Sequence, residues 1–359
     1  MDEIIVERAG RFGRIRLNRP KALNALTHGM VGQIDAALDG FAADPSIAGL
    51  LLTGEGERGF CAGGDVRSLY LSEGTAFAER FWRDEYRLDA RIARFEKPVV
   101  AIMDGITMGG GVGLSAHARH RVVTERSRVA MPETGIGYLP DVGATWLLPR
   151  APGETGTYLG LTGTPMVAAD AIYAGFADTL VPAPALPALF EVLSDLPEGA
   201  SDADVAAAIQ AHGADPGPSR LEAQRTVIDR CFAFDSMTEI LSALDRDDSD
   251  FSASTRATLA EKAPASLVLT LHLLRRGRIG PDLEACLERE FHASLAMLAE
   301  GDFREGVRAA VIDKDRKPRW SPATLADVDP DRIARWLKPR ADPVFPQERP
   351  DRGRSAIRG

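Results

Sequence analysis

The chain has 359 residues, 45% of them hydrophobic and 26% charged, with a formal net charge of −9. This is the profile of a soluble globular protein, long enough for one large domain or a core with an appendage. The acidic balance argues against nucleic acid as the main partner, yet leaves room for local basic residues to hold a phosphorylated ligand.

The chain opens with "IIVERAGRFGRIRLNRP", which reads as a hairpin closed by a glycine turn and ending at Pro20. "MVGQIDAALDGFAADP" has helical apolar spacing and stops before Pro45; "AGLLLTGEG" is a short buried strand. "GTAFAERFWRDEYRLDARIARFEKP" reads as a long helix of mixed charge ending before Pro98, followed by the strand "VVAIMDG" and a glycine-opened helix in "GGGVGLSAHAR". "HRVVTE" and "SRVAMPE" are two further strands. Alternation of strand and helix up to about residue 180 indicates an α/β domain. From there the apolar stripes of "SRLEAQRTVIDRCF", "SMTEILSALDR", "SASTRATLAEKAP", "SLVLTLHLLRRG" and "DLEACLEREFHASLAMLAEG" predict helices. We therefore expect a core over 1–185, a helical region over 186–335 and a flexible proline- and arginine-rich tail over 336–359.

Three widely separated cysteines, Cys61, Cys231 and Cys286, offer neither a disulfide framework nor a zinc spacing, which suits a reducing compartment. "MDEIIVERAG" lacks the apolar stretch of a signal peptide, and no run is long enough to cross a bilayer. The expectation is a cytoplasmic protein without a membrane partner.

Two stretches share a design. "GFCAGGD" (59–65) and "DGITMGGGVG" (104–113) each place consecutive glycines after a buried strand and before a helix. Glycine lets a ligand approach the main chain, and free N–H groups at a helix start carry partial positive charge. Two such turns meeting in space would give two donors for one oxyanion; each alone is equally a tight turn. Gly111 to Ala116 match a dinucleotide-type G-x-G-x-x-A, but Glu125 comes too early for the acid that should follow. Gly113-Leu114-Ser115-Ala116-His117 lacks the last glycine of a nucleophile elbow, so Ser115 and His117 read as ordinary helix residues. Cys61 reads as packing, and His117 with His120 lacks a third ligand, so no metal is expected.

These residues, with "RPKALNAL" (19–26), "KPVVAIMDGITMGGGVGLSAHARHRVVTE" (97–125) and "MPETGIGYLPDVGATWLLPR" (131–150), resemble the crotonase (enoyl-CoA hydratase/isomerase) superfamily. The wording of "ITMGGGVGLS", "MPETGIGYLPDVG" and "EGVRAAVIDKDRKPRW" is similar to its 3-hydroxyisobutyryl-CoA hydrolase branch. The resemblance spans residues 3 to about 325. It implies a spiral of ββα turns followed by helices, and an acyl-CoA substrate whose thioester oxygen is held by the N–H groups of Gly64 and Gly110. Lys21, Ala22 and Leu23 would line the CoA cleft. Asp65 reads more simply as a helix cap. CoA enters as substrate, and no separate cofactor is implied. Relatives in the superfamily are often trimers or trimer pairs, so a homo-oligomer fits the resemblance.

The acids choose the chemistry. Hydratases of the superfamily use two glutamates; here Glu133 matches one and Gly113 stands at the other position. Hydration needs a proton managed on both sides of a double bond, so Gly113 removes half the apparatus. Asp141 matches an aspartate of the hydrolase branch, and Glu85 matches one of its substrate-binding acids. Acids around a small acyl group suit a substrate bearing a hydroxyl. The implied reaction is hydrolysis of 3-hydroxyisobutyryl-CoA, as in valine breakdown, with Glu133 as base or nucleophile. Glu85, on a charged helix, is also readable as a surface residue, and Asp141 as the cap of the helix in "VGATWLLPR". The basic runs at Arg275–Arg278 and Lys314–Arg319 are candidates for CoA phosphates or solvated helix ends. The alternatives are an isomerase or hydratase using Glu133 alone, or a CoA-binding protein without catalysis.

Overall fold

The computed structural model describes residues 2–72, 74–340 and 342–346. Its first strands, β1 (Ile4–Ala9) and β2 (Phe12–Leu17), pair antiparallel across a turn in which Gly10 takes a φ of 56°. After α1 (His28–Ala43) the chain repeats one unit. β3 (Gly49–Gly54), β4 (Gly59–Cys61), α2 (Val66–Leu71) and α3 (Ala76–Ala93) form one turn. β5 (Val99–Met103), β6 (Ile106–Met108) and α4 (Gly110–Ala116) form the next, and β7 (His120–Val123) with β8 (Arg128–Ala130) begins a third. The first strand of each unit joins a six-stranded sheet ordered β1-β2-β3-β5-β7-β9, where β9 is Thr179–Leu180. The second strands form a separate parallel sheet, β4-β6-β8. This is the ββα spiral. The strands β4 and β6 fall inside the segments that read as plain glycine turns, because three residues are too short to show a period.

β3 and β5 are buried on both faces, as central parallel strands are, so "LLLT" and "VVAIM" carry no alternation of polarity. Their pleat still sorts side chains. Leu51, Val100 and Ile102 face a cluster with Leu189 of α8 (Leu186–Ser194) and Val205 of α9 (Asp202–Ala211). Leu50, Leu52, Val99 and Ala101 face the main core.

Between β8 and α8 lie α5 (Ala144–Leu147), α6 (Thr155–Thr162) and α7 (Ala168–Tyr173). The later helices are α10 (Arg220–Phe232), α11 (Met237–Asp245), α12 (Asp250–Ala260) and α13 (Pro264–Arg278). They continue with α14 (Leu283–Glu300), α15 (Phe303–Val307) and α16 (Pro330–Trp336). Leu267, Leu271 and Phe291 from these helices belong to the same apolar cluster as the spiral strands. The helical region therefore packs as one wall of the spiral's own core.

The start of the expected tail is docked. Val344 is fully buried, the Val344 and Phe345 N–H groups donate to Glu288, and Arg83 and Arg87 donate to the Pro343 and Val344 carbonyls. One apolar side chain with four backbone bonds suffices to order a segment that composition alone reads as flexible. Residues 347–359 of that expectation lie outside the described residues.

Candidate active site

The two glycine turns meet. Leu26 N–H donates to Gly63 O at 2.8 Å, Ala62 N–H to Leu23 O at 3.0 Å, and Asp65 N–H to Leu26 O at 2.9 Å, which pins the first turn. A Cβ built on Gly110 would stand 3.3 Å from Gly64 N, so the two backbone N–H groups are neighbours. Gly110 is the first residue of α4, where an N–H has no partner within the helix. Among the described residues neither Gly64 N–H nor Gly110 N–H finds an acceptor. Asp65 caps α2, accepting from Ser68 N–H at 3.3 Å.

Beside the turns lies a cavity of about 180 Å³, lined by Gly64, Gly110, Glu85, Glu133 and Asp141 and walled by aromatic rings. Trp82 stacks on Tyr138 at 5.5 Å, and Tyr138 lies 5.1 Å from Phe303. Glu133 opens the 3-10 turn Glu133–Ile136 and is 6% exposed. Its Oε2 has no partner, and burial, then the Asp141 charge, pushes its carboxyl well above the usual range. Glu85 is buried, which excludes the surface reading. α3 turns Glu79, Arg83 and Arg91 to partners at its rim and Glu85 inward. Glu85 Oε1 is unpartnered, and burial followed by the Asp141 charge raises its carboxyl strongly too. A Cβ on Gly110 would stand 2.5 Å from Glu85 Oε1, so any side chain there would displace the Glu85 carboxylate. The same glycine thus frees a backbone donor and admits a carboxylate.

Asp141 is not a helix cap. The N-cap of α5 is Gly143, with no side chain bonded to it from the loop. Asp141 Oδ2 instead accepts from Tyr86 Oη at 2.7 Å and Tyr138 Oη at 3.0 Å, and both phenols reach Ser294 Oγ, at 3.2 and 2.7 Å. Burial raises the Asp141 carboxyl to about 6 against the opposing pull of those phenol bonds. The capping is done by Glu290 of α14. It accepts from Gly143 N–H at 2.7 Å, Thr145 N–H at 2.9 Å and Thr145 Oγ1 at 2.6 Å. Burial still lifts Glu290 to about 7. Between Asp141 and Gly143, Val142 is held at a φ of 52°, a conformation that a β-branched residue avoids at a cost of about 1–3 kcal/mol. His117 Nε2 donates to Val142 O at 2.8 Å and completes the clamp, its imidazole kept neutral by burial that lowers it to about 4.

The volume that a side chain at Gly113 would fill is taken. A Cβ there would stand 2.8 Å from each Asp89 carboxylate oxygen and from Val142 Cβ. Sequence reasoning missed Asp89, Glu290, Tyr86 and Ser294. Asp89 follows Glu85 by one helical turn, which is the signal that could have found it; the others act only through tertiary contact.

Leu23 is tied to the first turn by its carbonyl, while Lys21 and Ala22 are exposed and do not line the inner cavity. A second cavity of about 210 Å³, between Leu26, His28, Asp65 and Phe81, shares Phe81 with the first. Arg275 pairs with Glu154 at 3.0 Å and Asp235 at 2.7 Å, a structural network away from the site, and Arg308 gathers Asp313 and Asp315 near the second basic run. Ser115 donates to Gly111 O within α4, and Cys61 is buried with its thiol pushed up to about 12, so neither is an activated nucleophile. Among the described residues no three His, Cys, Asp or Glu side chains are arranged to hold a metal ion.

Known proteins resemble this chain over most of its length. The family model described as enoyl-CoA hydratase/isomerase matches residues 12–337. The 3-hydroxyisobutyryl-CoA hydrolase, mitochondrial, of Danio rerio is 41% identical over 91% of this chain and 87% of its own, and the one of Homo sapiens is 39% identical over 91% and 86%. Among solved structures, a carnitinyl-CoA dehydratase from Mycobacterium thermoresistibile superposes with a TM-score of 0.91 at 42% identity, covering 97% of this chain and 100% of that one. An enoyl-CoA hydratase from Rhodobacter sphaeroides 2.4.1 gives 0.85 at 43% identity over 94% and 98%. The chain belongs to the enoyl-CoA hydratase/isomerase, or crotonase, family.

Proposed function

We propose that the protein hydrolyses 3-hydroxyisobutyryl-CoA to 3-hydroxyisobutyrate and CoA. The observation that carries this reading is Gly113 closed in by Asp89 and Val142: the second hydratase carboxylate is missing and its place is blocked. The curated relatives support it by name, at about 40% identity over more than nine-tenths of the chain. The thioester oxygen sits between the Gly64 and Gly110 N–H groups, preformed donors that need no reorganisation as charge develops. Glu133 acts on the carbonyl carbon. Its ionised form either takes a proton from a water that adds to the carbon, or adds itself to give a mixed anhydride that water opens. In both routes the C–S bond breaks and the thiolate leaves, protonated by the site's acids. Asp141, held through one oxygen by two phenols, has the other for the acyl hydroxyl or for that proton; Glu85 accepts from the hydroxyl. We place the pantetheine arm in the second cavity, between Leu26 and Phe81, with Lys21, Ala22 and Leu23 as the proposed CoA-binding segment that precedes Leu26 in the chain.

CoA enters as part of the substrate, and the chemistry calls for no separate cofactor. Valine degradation is the process this reaction would serve. Among the described residues no helix is long and apolar enough to cross a membrane. We place the protein in the cytoplasm, on the strength of three free, buried thiols, although the curated relatives are named mitochondrial. A homo-oligomer is proposed from the superfamily habit alone.

Release of free thiol from 3-hydroxyisobutyryl-CoA, followed with a thiol reagent, tests the reaction. No release, with loss of enoyl absorbance from crotonyl-CoA, would establish the second reading, a hydratase, which the names of the two superposed proteins favour. Oxygen-18 or hydroxylamine trapped at Glu133 during turnover requires the anhydride; neither one appearing selects direct attack by water.

A further inference from the structure

α3 and α4 pack with two acids of one facing two glycines of the other. Glu85 and Asp89 stand one turn apart on α3, and Gly110 and Gly113 one turn apart on α4. A Cβ at 110 would meet Glu85 Oε1, and a Cβ at 113 would meet both Asp89 oxygens. The α3 carboxyls therefore occupy the volume that α4 side chains would otherwise fill.

Asp89 is fully buried, and among the described residues neither of its oxygens has a hydrogen-bond partner. The groups facing it are all acids: Glu85 on its own helix, Asp141 from the loop and Glu290 from α14. α4 presents no titratable side chain before His117, which is engaged with Val142 O. The α1 acids that face α3, Asp35 and Asp39, are taken by Arg91. Two neighbouring carboxyls without a cation cannot both ionise; one proton held between them satisfies an oxygen of each. Burial and the surrounding charge, which push both carboxyls upward, agree with that sharing.

We propose that Asp89 is a positioning residue that shares one proton with Glu85 and so presents Glu85 to the substrate hydroxyl as a hydrogen-bond acceptor. This rests on the reading that Glu85 binds the acyl hydroxyl. No atom is transferred to product: Asp89 O–H donates to Glu85, and the oxygen of Glu85 at the cavity accepts from the substrate.

The test compares 3-hydroxyisobutyryl-CoA with isobutyryl-CoA, which lacks the hydroxyl, using the full chain. Wild-type protein should favour the hydroxylated ester in kcat/KM. If it shows no preference, the Glu85 reading and this proposal fall together. Asp89→Leu should raise KM for the hydroxylated ester about tenfold while leaving isobutyryl-CoA within about twofold. A preference that survives Asp89→Leu overturns this proposal alone, as does an equal loss for both esters. Asp89→Asn keeps an N–H donor and removes one titrating group, so it covers the case in which the leucine variant does not fold. Its alkaline limb of kcat/KM for the hydroxylated ester, where the wild-type pair loses the shared proton, should move at least about one pH unit higher. An unmoved limb overturns the proposal.

Discussion

The two sides of the cavity are built by different means. On the Gly64–Gly110 side the proposed working groups are backbone N–H donors and Glu133, all placed by the spiral within some seventy residues of chain. On the Asp141 side the proposed working group is a side chain on a loop, and its geometry is imposed from afar: Tyr86 from α3, and Glu290 and Ser294 from α14. The first side is local and preformed. The second is a strained turn at Val142, held only while the helical region stays docked. The C-terminal helices are therefore part of the site's apparatus as well as its cover.

Breaking the spiral side should have the larger effect. Glu133→Gln removes the proposed base or nucleophile, and we expect kcat to fall by about 10³ or more with acyl-CoA binding retained by calorimetry. Retained turnover would move the chemistry to Asp141. Gly110→Ala should cost about 10²–10³ in kcat, because its Cβ collides with Glu85 Oε1 and crowds the Gly64 donor. Circular dichroism should show the fold unchanged, since α4 tolerates alanine.

On the loop side the expected loss is smaller and divided between rate and stability. Glu290→Ala strands the N–H groups of Gly143 and Thr145 and the Thr145 hydroxyl in the interior, a cost of about 1–3 kcal/mol. With the clamp gone Val142 can relax, so Asp141 swings from its place and kcat should drop about 10–100-fold. Glu290→Gln keeps one carbonyl acceptor and should recover most of the stability. If Glu290→Ala lowers the melting point and leaves kcat untouched, the clamp is structural and the comparison between the two sides fails.

The same division explains what could be read in the sequence. Glycine pairs after buried strands mark the Gly64–Gly110 side, because backbone conformation is written into local residue type. Glu133 and Asp141 are the only charged residues between Met131 and Pro149. The long helices followed from periodicity, and the central strands from short apolar runs closed by glycine. What periodicity could not show is which charge on an amphipathic helix turns inward: α3 reads as solvated, yet Glu85 and Asp89 face the interior. Nor does the sequence around Asp141 mention Glu290, 149 residues later, which does the capping that local rules assign to the aspartate itself. Val344 teaches the same lesson at the C-terminal end, where one buried side chain overrides a disorder-prone composition.

A gentler probe of the loop side is pH. Burial raises Asp141 to about 6 and Glu290 to about 7 in the folded protein, whereas carboxyls in an unfolded chain titrate near 4. With the folded values above the unfolded ones, the unfolded chain gives up protons that the native state keeps. The resulting stabilisation is complete below about pH 4 and is lost as pH rises through 6 to 7. Each unit of separation corresponds to about 1.4 kcal/mol, and because the groups interact the loss belongs to the cluster as a whole. Asp247, at about 2, titrates below this window, while His117, lowered to about 4 against about 6.5 in an unfolded chain, offsets part of the loss between pH 5.5 and 8. The ligand-free protein should therefore melt a few degrees lower at pH 8 than at pH 5.5, opposite to the trend of a protein stabilised chiefly by ion pairs. Replacing Asp141 and Glu290 together by their amides should flatten that slope, since an amide carries no proton to lose. A slope that persists in the double variant would assign the retained protons to Glu85, Asp89 and Glu133, and so to the wall of the cavity that α3 and the spiral share.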